Sequence, residues 1–228
     1  MQIAIAQLNY TVGDLEGNAS KIIQAINKAK AEGAELVLFS ELAICGYPPR
    51  DILFYEEFID RCEATIEKIA ASTQGIAVLL GAPMRNPQVP GKPLFNSAYF
   101  IVDTKVEKVI HKTLLPTYDV FDEHRYFEEN KIFELVAYKG KRLAITICED
   151  LWNLDQQNPL YRHCPMEELK KLEPDMMLNI AASPFDFKHA ADRKRVLSAN
   201  ARTYQLPIYY CNQVGAQTEL VFDGGSLV

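Results

Sequence analysis

Short apolar runs alternate with amphipathic segments along the first third of the chain. Residues 3–8, Leu36–Phe39 and Ala77–Gly81 are apolar and rich in branched side chains, which indicates buried strands. The segments Asn18–Glu32 and Glu56–Ala71 carry apolar residues at the spacing of an amphipathic helix, and Gly33 and Pro48-Pro49 interrupt the pattern. The order strand, helix, strand, helix, strand predicts an α/β fold.

The pattern changes from residue 96 onward. A hairpin is predicted, with strands at Ala98–Val102 and Lys108–His111 and a turn near Asp103-Thr104. The last residues, Gly224–Val228, are expected to begin an unfinished strand, which suggests a domain of a longer protein. Helices on one side of the buried strands favour a layered α/β architecture. The remaining predicted elements are strands at Leu143–Cys148, Met176–Ala181 and Ile208–Cys211, and helices at Met166–Lys171 and Ala190–Tyr204.

Length and composition indicate one globular domain. The chain has 228 residues, of which 48% are hydrophobic and 24% charged, and its net charge is −6. This balance argues against a nucleic-acid-binding or anionic-membrane-binding surface. The start of the sequence lacks the basic region of a signal peptide, and no apolar run approaches the roughly 20 residues of a membrane span. The five cysteines include no C-x-x-C pair, so neither disulfides nor a zinc site is favoured and a cytoplasmic location is expected.

Three residues that follow predicted strands could carry chemistry. Cys148 closes the apolar run from Leu143, Glu41 comes just after the strand Leu36–Phe39, and Lys112 follows His111. A thiol with a pKa of about 8.5 is a poor nucleophile unless a base or a cation lies beside it. A carboxylate could serve as the base, and an ammonium could stabilise a thiolate or an oxyanion.

Less specific interpretations compete with this one. A cysteine at the end of an apolar run is often only a small buried hydrophobe, and Cys45, Cys62 and Cys211 are interpreted in that way. Cys164 could pair with His163, although neighbours in sequence rarely meet as nucleophile and base. A redox-sensing cysteine is a further alternative, weakened by the lack of a resolving cysteine.

The same three residues carry a resemblance to a known family. Glu41, Lys112 and Cys148 fall on the Glu, Lys and Cys triad of the nitrilase superfamily of carbon–nitrogen hydrolases, whose members adopt a four-layer α/β/β/α sandwich. The segments Ser40–Leu53, His111–Phe127 and Ile147–Trp152 are similar to the glutaminase domain of glutamine-dependent NAD(+) synthetases.

The resemblance implies that residues 1–228 form a glutaminase domain, which releases ammonia from L-glutamine through a cysteine thioester. A C-terminal synthetase domain, outside these residues, would use ATP and Mg to amidate nicotinate adenine dinucleotide. The resemblance implies no cofactor and no metal for the glutaminase domain itself, and a homo-oligomeric assembly.

The resemblance also implies a set of substrate-binding residues. The family often has Lys or Arg six positions after the serine, where this chain has His189 preceded by Lys188, so which of the two contacts the substrate carboxylate stays open. Two other functions stay open as well: a free-standing nitrilase-family amidase acting on another small amide, and a catalytically silent assembly module. The implied substrate-binding residues are Tyr118, Phe121, Glu149, Ser183 and His189.

Overall fold

Two β-sheets form the middle of the molecule, and helices cover their outer faces. The structure is a computed structural model that describes residues 1–88, 90–154, 160–187 and 189–228, and for His189 only the backbone. The five-stranded sheet contains β1 (Ile3–Ile5), β2 (Leu36–Leu38), β3 (Ala77–Arg85), β4 (Leu94–Val102) and β5 (Lys105–His111), in that order. The four-stranded sheet contains, in order, β6 (Val136–Tyr138), β7 (Lys141–Ile147), β8 (Met176–Ala181) and β9 (Ile208–Asn212).

The direction of the strands determines at which edge of each sheet Glu41, Lys112 and Cys148 lie. β1, β2 and β3 are parallel, while β4 and β5 extend the five-stranded sheet as antiparallel neighbours. In the four-stranded sheet β7, β8 and β9 are parallel and β6 is an antiparallel edge. Parallel strands keep their carboxyl ends at one edge, which is where α/β folds bind their ligands.

The four layers follow from strands that are buried on both faces. Successive side chains of a strand point to opposite faces, so β2 sends Leu36 and Leu38 one way and Val37 the other. Val37 packs in the cluster that contains residues of α1 (Leu15–Ala31) and α2 (Glu56–Ala70). Leu36 and Leu38 pack in a second cluster that contains residues of β7, β8 and β9 together with α3 (Pro165–Lys171) and α4 (His189–Tyr204).

The expected α/β/β/α sandwich is therefore confirmed, but the expectation of helices on one side of the strands is wrong. The helices α1 and α2 cover the five-stranded sheet, and α3 and α4 cover the four-stranded sheet. The inner strands β2 and β8 are buried on both faces, so each sheet needs a layer on either side to bury that surface. Among the described residues, no helix combines the length and the hydropathy that crossing a membrane would need.

Most predicted elements exist, with shifted ends. β1 stops at Ile5 instead of residue 8, because its partner β2 ends at Leu38 and the chain then turns. α1 begins at Leu15, earlier than predicted, because the Asp14 side chain accepts a hydrogen bond from Gly17 N at 2.9 Å and caps the helix. The predicted turn is present at Asp103 and Thr104, both with positive φ, and β3, β4 and β5 are longer than predicted.

Three short strands were not predicted. They are β6, β10 (Val214–Gln217) and β11 (Leu220–Asp223), and the last two form a separate hairpin. The expected unfinished strand at Gly224–Val228 is wrong: Gly224 and Gly225 have positive φ, and Leu227 makes only an isolated bridge to Tyr210. Two successive glycines in this conformation break an extended run.

The layer between the sheets should carry much of the stability. We expect Leu38→Ala to lower the free energy of unfolding by about 2–5 kcal/mol, because it opens a cavity at a fully buried position between the sheets. Val106→Ala on β5, whose side chain is 44% exposed, is the control and should change the free energy by less than about 0.5 kcal/mol. Urea unfolding measures both values, and equal losses would contradict this account of the core.

Candidate active site

Glu41 lies in the tight turn that follows β2, pressed against β3. A side chain at Gly81 would approach the backbone N of Leu42 to 2.3 Å and Glu41 Cα to 2.7 Å, so only glycine lets the turn lie this close to the strand. The Glu41 carboxylate is 1% exposed, and its Oε2 accepts a hydrogen bond from Ala182 N at 3.0 Å. The turn thus carries the carboxylate inside the protein and connects it to the end of β8.

Lys112 is the first residue after β5 and is fully buried. Its Nζ donates to Glu41 Oε1 at 2.6 Å and to Glu123 Oε1 at 2.8 Å. Burial alone would lower the pKa of the ammonium, but the charges of Glu123 and Glu41 outweigh it and raise this pKa well above its usual value. Lys112 is therefore a permanent cation held between two carboxylates.

Glu123 completes this cluster and was not singled out from the sequence. Its Oε1 also accepts from the Tyr47 hydroxyl at 2.9 Å, and Asn96 Nδ2 donates to Glu41 Oε1 at 2.7 Å and to Glu123 Oε2 at 3.4 Å. Burial raises the Glu123 pKa to about 7, against the opposing charge of Lys112. The residue lies in a short 3₁₀ turn, Glu123–Arg125, where no periodic pattern indicates a buried carboxylate.

Cys148 begins a short 3₁₀ turn, Cys148–Leu151, directly after β7 rather than ending the strand as predicted. Its φ is 43°, a conformation that non-glycine residues rarely adopt and that often marks functional positions. Burial, followed by the charge of Glu41, raises the thiol pKa well above its usual value, while the charge of Lys112 lowers it. The resting thiol is therefore protonated and needs a base before it can attack.

Asp150 connects the Lys112 segment to the Cys148 segment. Its Oδ1 accepts from Thr113 N at 3.0 Å and from Leu114 N at 2.8 Å, and its Oδ2 accepts from Ile147 N at 2.9 Å. Burial raises the Asp150 pKa to about 6, although the three backbone N–H groups favour its ionised form. One buried side chain thus fixes the two strand ends relative to each other.

Glu149 projects a buried carboxylate beside the thiol. Its Oε1 accepts from the Tyr118 hydroxyl at 2.8 Å and from the Tyr161 hydroxyl at 2.9 Å. The Tyr118 ring meets the Phe121 ring edge to face, with centroids 5.5 Å apart. The structure therefore brings the predicted residues Tyr118, Phe121 and Glu149 together and adds Tyr161, which sequence analysis did not identify.

Ser183 lies just beyond β8, next to Ala182, which donates to Glu41. The Asn212 side chain holds the Ser183 backbone, since its Oδ1 accepts from Ser183 N at 2.8 Å and its Nδ2 donates to Ser183 O at 3.0 Å. His189 begins α4, but its side chain and all of Lys188 lie outside the described residues. The choice between them as the carboxylate contact stays a prediction.

The other candidate residues lie in different surroundings. All five cysteines are buried and free, and Cys164 Sγ lies 3.3 Å from the Tyr204 hydroxyl rather than in a described pair with His163. His111 Nδ1 lies 2.8 Å from Ser97 Oγ, so its partner differs from those of Lys112, as the alternation of an extended chain predicts. Among the residues with described positions, no cluster of three or more His, Cys, Asp or Glu could hold a metal ion.

Comparison with known proteins identifies the family. The family model described as carbon-nitrogen hydrolase matches residues 2–228. The chain belongs to the carbon–nitrogen hydrolase family. This carbon–nitrogen hydrolase is 40% identical over 230 residues to a glutamine-dependent NAD(+) synthetase from Synechocystis, covering 98% of this chain and 41% of the relative. It is 36% identical to the enzyme of the same name from Thermotoga maritima, covering 100% of this chain and 38% of the relative.

Solved structures agree with the family and the fold. The glutamine-dependent NAD+ synthetase from Acinetobacter baumannii, solved in complex with ADP, superposes with a TM-score of 0.89 at 32% identity, over 98% of this chain and 40% of that chain. An amidase of the nitrilase superfamily from Nesterenkonia AN1 superposes with a TM-score of 0.84 at 22% identity, over 100% and 81% of the two chains, which shows the shared fold alone. This carbon–nitrogen hydrolase thus spans about 40% of the length of the synthetases that it matches.

The Asp150 connection can be tested by a single-atom change. Asp150→Asn should lower the free energy of unfolding by about 1–3 kcal/mol, because an amide NH₂ cannot accept from Ile147 N and leaves that buried donor unpaired. Asp175→Asn is the matched control, since this side chain, 38% exposed, also accepts from one backbone N–H, that of Arg142. Chemical unfolding at pH 8 measures both, and an equally mild loss in both variants would contradict the proposed connection.

Glu123 should give the stability a measurable pH dependence. Because its pKa is raised from 4.5 to about 7 in the folded state, the folded protein keeps this proton where the unfolded chain has lost it. This group therefore costs stability as the pH rises from about 5 to about 7. The free energy of unfolding of the wild type minus that of Glu123→Gln should decrease over this range, as measured by urea unfolding at each pH. A difference that stays constant or increases would contradict the assignment.

Proposed function

We propose that this domain is a glutamine amidohydrolase in which Glu41, Lys112 and Cys148 are the catalytic residues. The observation that carries the proposal is the buried Lys112–Glu41 ion pair, whose charges both act on the Cys148 thiol. A protonated thiol, a carboxylate and a permanent cation are the three components that attack on an amide requires. The names of the relatives support glutamine as the amide.

The first half of the reaction would form a thioester. Glu41 accepts the proton of Cys148 Sγ as the sulfur attacks the side-chain amide carbon of glutamine. The oxyanion that results is stabilised by the Lys112 ammonium and by the backbone N–H of Glu149, and loss of one such donor typically costs about 2.7–4 kcal/mol in the barrier. The C–N bond then breaks, Glu41 returns the proton to the leaving nitrogen, and ammonia departs.

The second half would hydrolyse the γ-glutamyl thioester. Glu41 removes a proton from a water molecule, whose oxygen attacks the thioester carbon. The C–S bond then breaks, glutamate leaves, and the Cys148 thiol regains its proton. Glu123 does not exchange protons with the substrate in this scheme; it shares the Lys112 ammonium and so keeps this cation in place while Glu41 changes its protonation state.

The pocket residues would select the amino-acid part of glutamine. The Glu149 carboxylate complements the α-ammonium group of glutamine, and Tyr118, Phe121 and Ser183 would line the site around it. His189 or Lys188 would supply the cation that pairs with the α-carboxylate, as the family resemblance implies. Pairing each charge of the ligand with an opposite charge avoids the cost of burying it alone.

The ammonia would supply ATP-dependent amidation of nicotinate adenine dinucleotide in the full-length enzyme. That step would belong to a C-terminal synthetase domain that uses ATP and Mg, whereas residues 1–228 would need no cofactor for hydrolysis. The length of the synthetase relatives, of which this chain matches about 40%, supports this division. We further propose a cytoplasmic homo-oligomer.

The nucleophile assignment can be tested with one substitution. Cys148→Ala should reduce ammonia release from glutamine by at least about 10³-fold, because it removes the sulfur on which the thioester would form. Cys62→Ala, at a buried position on α2, should retain turnover and serves as the control. A coupled ammonia assay measures both, and circular dichroism verifies that each variant is folded.

Substrate choice separates the proposal from its alternatives. Asparagine and simple aliphatic amides, assayed beside glutamine, should be hydrolysed much more slowly by the wild type. Faster hydrolysis of another amide would favour a free-standing amidase. Wild-type protein that neither turns over glutamine nor reacts with a thiol-directed glutamine analogue would favour a catalytically silent module.

A further inference from the structure

Two tyrosine hydroxyls converge on one oxygen of the Glu149 carboxylate. Tyr118 and Tyr161 both donate to Oε1, at 2.8 and 2.9 Å. The two tyrosines come from different parts of the chain, since Tyr118 follows β5 and Tyr161 precedes α3. Two donors from independent segments restrict the rotation of a carboxylate more than one donor would. The position of Oε1 is therefore held by two tyrosines, of which Tyr161 provides one donor.

The arrangement leaves the second carboxylate oxygen available. Within the described part of the chain, Glu149 Oε2 accepts no hydrogen bond from the protein, although the residue is only 4% exposed. Oε2 is not among the fully buried side-chain atoms that lack a partner, so it keeps contact with solvent and is open to a ligand. The natural complement of such an oxygen is a cation with N–H donors, and an α-ammonium group has both properties.

Tyr161 differs from Tyr118 in its surroundings. Tyr118 packs against Phe121, and the family resemblance implies that it contacts glutamine. Tyr161 instead lines a separate cavity of about 270 Å³, together with Thr113 and His163. Its only described hydrogen bond is the one to Glu149. A residue placed in this way acts on the substrate through the carboxylate that it holds.

We propose that Tyr161 is a specificity-determining positioning residue, which orients Glu149 so that Oε2 receives the α-ammonium group of the amino-acid amide. The inference rests on the proposed glutaminase function and names the part of the substrate that this pair selects. An amide without an α-ammonium group offers Glu149 Oε2 no cationic donor once its binding excludes solvent, and enzymes discriminate strongly against ligands that leave such a group without a partner. Tyr161 therefore contributes to rejecting simple aliphatic amides.

Burial raises the pKa of Glu149. The hydrogen bond from Tyr118, the charge of Lys112 and the hydrogen bond from Tyr161 lower it, and the charge of Glu41 raises it. Loss of the Tyr161 donor should raise the Glu149 pKa further, so that the carboxylate takes up a proton at a higher pH. A protonated Glu149 attracts an ammonium group less. The effect of Tyr161 on glutamine binding should therefore grow as the pH falls.

The test compares two ligands that differ only in the α-ammonium group. Binding of glutamine and of glutaramate, in which hydrogen replaces the α-ammonium group, is measured by calorimetry on Cys148→Ala protein with and without Tyr161→Phe. We expect Tyr161→Phe to weaken glutamine binding about 10-fold, the size of one hydrogen bond to a charged group. Glutaramate binding should change less than about 2-fold. The control is Tyr138→Phe on β6, which removes a hydrogen bond to Glu35 O and should change neither affinity.

Kinetics on the variant with Cys148 intact provide a second measurement. Tyr161→Phe should raise KM for glutamine with kcat nearly unchanged, and the acid limb of kcat/KM should move to higher pH. Equal weakening of both ligands, or a lower kcat at unchanged KM, would overturn the proposal and make Tyr161 a structural residue of the Cys148 turn. Failure of the parent protein to bind or hydrolyse glutamine would instead overturn the proposed function itself.

Discussion

The buried ammonium of Lys112 is the constraint on which the rest of the site depends. A fully buried cation is tolerated only when opposite charges and hydrogen bonds replace its hydration, and Glu41 and Glu123 provide both. These carboxylates need further donors, which come from Asn96, Tyr47 and the backbone of Ala182. Removing one partner from such a cluster leaves an uncompensated charge and typically costs about 3–5 kcal/mol. The same interactions therefore stabilise the fold and hold the candidate catalytic residues together.

The catalytic candidates were accessible from the sequence because strands are its clearest signal. Glu41, Lys112 and Cys148 each lie at the end of a predicted strand, and strand ends are where α/β folds place functional groups. Glu123 and Tyr161 lie in irregular segments, where apolar periodicity says nothing about which polar side chain is buried. The role of Asp150 could not be predicted from the sequence for another reason. Its side chain accepts hydrogen bonds from the backbone of two segments that only the fold brings together.

The same distinction applies to the fold. The apolar runs of β2, β7 and β8 predict their strands to within about two residues at each end, whereas β3 extends beyond its predicted end to Arg85. β6 has only three residues, and the β10–β11 hairpin contains glycine and polar residues between its apolar ones. The sequence pattern of either element therefore resembles that of a loop. The Glu149 carboxylate and its tyrosines belong to such loop segments. The fold that this chain shares with amidases can thus be recognised from the sequence, whereas the residues that line the candidate substrate pocket can be identified only from the structure.

Asp150 has a mechanical consequence. Its hydrogen bonds run from the segment that leaves the five-stranded sheet to the last residue of a strand in the four-stranded sheet. Sliding of one sheet over the other would stretch these bonds before either sheet lost its own pairing. The relative position of Lys112 and Cys148 therefore depends on how the two sheets pack against each other. We therefore expect conditions that loosen the packing between the sheets to displace these two side chains relative to each other while the pairing within each sheet persists.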